Sequence, residues 1–181
     1  MLFIPHPVRG FALALACAAA PLCAGPLPAQ LPLSVEARGG VALPAAAFEG
    51  AEGGQGGEVS ATWHVLPFAG IYGAYQSNRF AYGDTGGHAT DEGFAAGVRI
   101  TLPALLVPID PWIRGGVVAH QLKTEARAAE SGVGYEVGAG LGFPLARGIA
   151  LTPGVLWTRY RDGDLLRVRH LRADVGLRMR F

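Results

Sequence analysis

Apolar and polar residues alternate one for one over much of the chain beyond residue 30. In HLRADVGLRMRF (170–181), Leu171, Ala173, Val175, Leu177, Met179 and Phe181 form one set, and His170, Arg172, Asp174, Gly176, Arg178 and Arg180 form the other. A period of two is that of a β-strand with one apolar and one polar face. The pattern recurs upstream in LSVEARGGVAL (33–43), EVSATWHVLPF (58–68), AGIYGAYQSNRFAY (69–82), GFAAGVRITL (93–102), WIRGGVVAHQL (112–122), VGYEVGAGLGF (133–143) and IALTPGVLWTRY (149–160). Pro153 leaves the register of the 149–160 segment open. No 3.6-residue period of helical length appears beyond residue 30, so eight strands are predicted.

The segments between these strands differ in character. PAAAFEGAEGGQGG (44–57), GDTGGHATDE (83–92), KTEARAAESG (123–132) and RDGDL (161–165) are polar and mostly long, whereas the links near Pro67, at 103–111 and at 144–148 are short or proline-bound. Long loops are therefore expected at one end of the sheet and tight turns at the other. An even number of ~10-residue amphipathic strands with that asymmetry is the pattern of an all-β, eight-stranded antiparallel up-and-down transmembrane β-barrel. The polar face favours this over a β-sandwich, because unpaired charges in a dry core are costly. Register follows from the same energetics: slipping the last strand by one residue would turn Arg172, Asp174, Arg178 and Arg180 to lipid, at ~2–4 kcal/mol for an arginine near the midplane.

Composition adds a second, shorter segment. Arg9 precedes the apolar run FALALACAAAPLCA (11–24), which has the length of a signal-peptide core and is too short to span a bilayer as a helix. Residues 1–29 are read as a signal peptide cleaved between 24 and 29, leaving 30–181 as the barrel domain. Both cysteines, Cys17 and Cys23, lie in the segment removed, so no disulfide or thiol chemistry is expected in the remainder. The whole chain has 15 Lys and Arg against 14 Asp and Glu; without Arg9 the two balance, and no basic field points to nucleic acid.

A signal peptide, eight amphipathic strands and a last strand closing on the aromatic Phe181 together resemble the small eight-stranded outer-membrane barrels of the OmpA, OmpX and OmpW type. The resemblance covers nearly all of 30–181 and implies a place in the outer membrane of a Gram-negative-type envelope, as a monomer with both ends periplasmic. It also implies that Phe181 and its strand are the signal read by the barrel-assembly machinery, one expected partner, with outer-membrane lipid the other.

Several residues bear on chemistry. Glu36, Glu136 and Asp174, with Arg38, Arg99, Arg114, Arg172 and Arg178, fall on the lumenal side and are expected to pair into a network plugging a barrel with little room for water. Arginines outnumber carboxylates in this set, which leaves a modest anionic preference if any water passes. Ser77 and Asn78 match half of the H-x-S-N motif of lipid A deacylases, but Tyr75 stands where the histidine would be; His64, His88, His120 or His170 would have to approach in space. His88 with Asp84 and Asp91 fits no metal-ligand spacing, and GAEGGQGG (50–57) lacks the Lys-Ser/Thr of a phosphate loop. No catalytic residue, metal or cofactor is expected. Phe68, Phe143 and Phe181, and Tyr82, Tyr135 and Tyr160, mark the two aromatic girdles a membrane barrel carries. The leading expectation is a non-enzymatic structural or surface-interaction protein. Its alternatives are a narrow solute pore, a lipid-modifying enzyme and a soluble periplasmic sandwich.

Overall fold

The computed structural model describes residues 32–45, 51–82, 87–102, 109–124, 127–162 and 166–181; residues 1–29, expected to be a signal peptide, and Asp84 lie outside them. Eight strands run in chain order: β1 (Leu33–Pro44), β2 (Ala51–Leu66), β3 (Ala69–Tyr82), β4 (His88–Thr101), β5 (Asp110–Thr124), β6 (Arg127–Ala146), β7 (Ile149–Asp162) and β8 (Leu166–Arg180). Each pairs antiparallel with its neighbours, and β1 pairs with β8 to close the barrel. Closure leaves no open sheet edge, which removes the row of unpaired backbone groups an edge would present. The seam is continued by the Phe181 amide, which donates to the Leu33 carbonyl at 2.9 Å.

Alternation sets the two faces of the wall. Along β8, His170, Arg172, Asp174 and Gly176 are buried inside while Leu171, Ala173, Val175 and Leu177 are exposed on the outer wall. Other strands do the same, so that Trp63, Ile71, Phe94, Val98, Val117, Val137 and Val155 stand exposed on the outside. An exposed apolar belt of this kind is the reverse of a water-soluble protein, in which the apolar face would be the covered one.

The loop asymmetry expected from the sequence does not hold. Connections at the end opposite Phe181, here the far end, span 45–50, 83–87, 125–126 and 163–165, while the link between β4 and β5 at the Phe181 end covers 102–109. All of 51–57, 88–92 and 127–132, read from sequence as loop, is strand. Antiparallel hydrogen bonding continues past the point where apolar alternation stops, because the ladder needs backbone amides and carbonyls and not apolar side chains. Two-residue turns at Pro67–Phe68 and Arg147–Gly148 close the β2–β3 and β6–β7 hairpins. Gly148 has φ of 75°, a left-handed conformation that a tight hairpin turn demands and glycine adopts without strain.

Candidate functional site: the lumen

The inward positions of the eight strands meet in one side-chain network. Its spine is an alternating chain of charges. Arg99 of β4 reaches Glu36 of β1 at 2.5 Å, and Glu36 is bound by Arg38 at 2.7 Å. Arg38 continues to Asp174 of β8 at 2.5 Å, and Asp174 accepts from Arg172 Nε at 2.9 Å. Arg172 crosses to Glu58 of β2 at 2.6 Å; Glu58 takes both Nη atoms of Arg114 of β5 at 2.5 and 2.6 Å, and Arg114 lies 3.2 Å from Glu136 of β6. Four guanidiniums and four carboxylates thus alternate in sign, each residue at most 6 % exposed. Burial on this scale requires that every charge be paired, since a lone ion in the lumen would carry its full desolvation cost.

The remaining strands add further hydrogen bonds, while Arg99 Nε and Nη2 and Arg114 Nε are buried without a partner among the described residues. Thr152 of β7 donates to Glu36 at 2.6 Å, and its carbonyl accepts from Arg38 at 3.1 Å. From β3, Tyr72 and Gln76 each donate to Glu136 at 2.6 Å, and the Asn78 side-chain carbonyl accepts from Arg172 at 3.3 Å. Trp112 of β5 is contacted by the Arg38 and Arg99 guanidiniums, 4.6 and 4.4 Å from its ring centre. Room for that indole exists because Gly154 has no side chain: a Cβ there would lie 2.6 Å from Trp112 Cζ2 and 2.7 Å from Arg38 Nη2.

A second node sits farther toward the far end. Asp91 of β4 accepts from Tyr160 at 2.8 Å and Asn78 at 3.2 Å, with His120 Nδ1 at 2.9 Å and His170 Nδ1 at 3.7 Å. Asn78 bonds both Asp91 and Arg172, which joins this node to the ionic chain. Beyond it, Ala42, Phe80, Ala89, Leu122 and Val168 belong to a buried apolar cluster. The lumen therefore holds an ionic layer and a dry apolar layer, the second of which the sequence reading did not foresee.

The structure places the sequence-derived residues as follows. Glu36, Arg38, Arg99, Arg114, Glu136, Arg172 and Asp174 all lie in the buried chain. Arg178 does not join it; it pairs with Asp110 at 3.2 Å beside a cavity of about 310 Å³ at the Phe181 end. Glu58, absent from the expected set, supplies the missing carboxylate, so the expected arginine surplus is replaced by balance among these eight groups. Tyr160 corrects the girdle assignment: it is 2 % exposed and faces inward to Asp91. On the outer wall Tyr135 packs edge-on against Trp157, and at mid-strand Tyr75 meets Phe94 in a tilted pair, each with ring centres 5.4 Å apart. Ser77 is an outward position between the inward Gln76 and Asn78, whereas His120 and His170 are fully buried inside, so the barrel wall separates them from the serine. His88 is exposed and Asp91 buried, three residues apart on opposite faces of one strand.

No family model matches the chain, and no curated protein sequence matches it. Solved structures do. Neisserial surface protein A (NspA) superposes with a TM-score of 0.68 at 15% identity, covering 85% of this chain and 100% of that one. The outer membrane protein OprG from Pseudomonas aeruginosa gives 0.51 at 9% identity, covering 84% of this chain and 95% of its own. The outer membrane protein AlkL gives 0.50 at 12% identity, with 87% and 94% covered. At these identities the likeness is one of fold: the chain has the fold of the small eight-stranded outer-membrane barrels.

Proposed function

We propose that this chain is an outer-membrane β-barrel protein with a structural or surface-interaction role, and that its lumen is closed to solutes. The observation that carries the reading is the unbroken chain from Arg99 to Glu136, in which eight buried charges from six strands pair with one another. A permeating solute would have to break at least one of these pairs, and an uncompensated buried charge costs several kcal/mol. The apolar residues at the far end add a second, dry barrier. The exposed apolar belt supports a place in lipid, and fold likeness supports the outer membrane in particular. In that setting the Phe181 end is periplasmic and the far end faces outward, with Phe181 as the assembly signal that the family resemblance implies. The separation of Ser77 from His120 and His170 favours a non-enzymatic role.

Two measurements test this. In planar bilayers the folded protein is expected to give no steady openings; reproducible single-channel steps would replace the closed-lumen reading with that of a narrow pore. Fractionation followed by a gel with and without boiling should find the protein in the outer-membrane fraction with a heat-dependent shift in mobility. A soluble protein without that shift would overturn the membrane reading itself.

A further inference from the structure

On the outer wall of β7 and β8 the apolar stripe ends abruptly in arginines. Outward positions pass from Leu151, Val155 and Trp157 to Arg159 and Arg161 on β7, and from Leu177, Val175 and Leu171 to Arg169 on β8. The register sets Arg159 directly opposite Arg169, and Arg161 opposite Arg167. Like charges placed directly across an antiparallel pair repel, and a sheet free to choose would interleave carboxylates. On the outer wall of β5, by contrast, the exposed Lys123 is matched by Glu92. Among the described residues no carboxylate pairs with Arg159, Arg161 or Arg169. The polar partner of Arg159 is the Tyr135 hydroxyl, to which it donates at 3.2 Å while lying 6.0 Å over the ring. Tyr135 in turn rests edge-on against Trp157.

From this arrangement we infer that the β7–β8 wall binds a phosphorylated lipid of the far-end leaflet, its phosphate held by Arg159, Arg161 and Arg169 and its acyl chains lying along Trp157, Leu171 and Val155. An anion seated between facing guanidiniums turns the unfavourable register into a favourable one, and the planar forks of arginine suit phosphate oxygens. Depth selects lipid over a free anion. The arginines begin where the apolar stripe stops, beside a Tyr–Trp pair of the kind that marks headgroup level, so a phosphate there has hydrocarbon directly beneath it. Nothing in the closed lumen contributes to this site; it rests on the membrane reading and deepens its surface-interaction part.

The test uses the full chain extracted from membranes in mild detergent, with diphosphorylated lipid A as probe and native mass spectrometry as readout. Wild-type protein is expected to retain the probe and to discriminate against its dephosphorylated form. Arg159→Gln with Arg169→Gln should weaken retention by roughly thirtyfold, given about 1 kcal/mol for each basic residue at a lipid surface. Arg79→Gln, an exposed residue on β3, should leave retention unchanged. The gel mobility shift checks that each variant folds; if the double variant does not, Arg161→Gln, an exposed single change, carries the test with a smaller loss. Equal retention by folded wild type and variants, or by phosphorylated and dephosphorylated probe, would overturn the inference while leaving the membrane reading intact. Displacement of the lipid by inorganic phosphate alone would overturn it in favour of a soluble anion. Absence of the protein from membranes would instead be a failure of the membrane reading.

Discussion

Glu58 of β2 and Arg114 of β5 meet in the middle of the barrel, both Nη atoms of the guanidinium bound to the two carboxylate oxygens at 2.5 and 2.6 Å. The two strands are three pairings apart around the wall, so this forked contact spans the lumen and does not merely decorate one side of it. Glu58 also takes Arg172, making it the one carboxylate that ties β2, β5 and β8 together.

Glu58→Gln should therefore destabilise the folded barrel by about 3–5 kcal/mol, the cost of leaving buried guanidiniums short of a counter-charge. Pairing it with Arg114→Gln should recover part of that loss, because the second change removes one of the charges left stranded. Urea midpoints of protein refolded into lipid vesicles measure both; strictly additive losses would mean that the two residues do not act as a pair.

Gly154→Val probes the packing of Trp112 against two arginines. A Cβ at this position meets Trp112 Cζ2 at 2.6 Å, Arg38 Nη2 at 2.7 Å and the Ala139 carbonyl at 2.9 Å, and one of the three is backbone. Overpacking of that order costs about 1–3 kcal/mol. The indole should lose its fixed setting as well, visible as a shifted emission maximum once Trp63 and Trp157 have been replaced by Phe in both proteins.

Val117→Arg addresses the outer wall. Val117 is 63 % exposed and sits mid-strand on β5. In lipid vesicles the substitution should lower stability by about 2–4 kcal/mol, as for an arginine at bilayer midplane. A wall facing water would tolerate it within about 0.5 kcal/mol, as exposed sites do, and that result would count against membrane residence.

Asp91→Asn tests the second node. The carboxylate is fully buried and is reached by Tyr160, Asn78 and His120. Converting it to an amide leaves at least one of these donors facing an N–H, for an expected loss of about 1–3 kcal/mol. Tyr160→Phe in the same background should then cost little beyond the first change, if the hydroxyl acts through Asp91; chemical denaturation of the single and double variants decides.

Strand existence and facing were readable from the sequence wherever apolar residues marked every second position, as in 170–181 and in 69–82, whose bounds match those of β3. The signal failed where glycine took the place of side chains. Residues 51–57 carry four glycines, show no alternation and were expected as loop, yet they pair with β1 and β3. Glu58, by contrast, opens the predicted segment 58–68 with parity opposite to Val59, so its inward place was countable although the expected lumenal set lacks it. Tyr160 failed for a different reason: Pro153 obscured the parity of its strand, and an aromatic at a strand end reads as girdle unless its neighbours Leu156 and Thr158 are known to point inward. Inward parity of His120 and His170 was countable, but their meeting at Asp91 was not. Partners across a lumen depend on the stagger with which the sheet closes, and stagger leaves no trace in any single strand.

Seven of the eight strand pairings join neighbours in sequence, whereas the eighth joins Ser34 to Arg180 and Val35 to Met179. Bringing those positions together closes a loop of nearly the whole barrel, so the entropic toll of this one pairing exceeds that of any hairpin. Until it forms, β1 and β8 are both open edges able to recruit a strand from another molecule. Arg38 to Asp174, the strongest side-chain link across that same seam, cannot form until the edges meet. For Arg38 and Asp174, closing the ring and pairing the charges are thus one and the same event, and an unclosed barrel leaves that link unmade together with the backbone bonds of the seam.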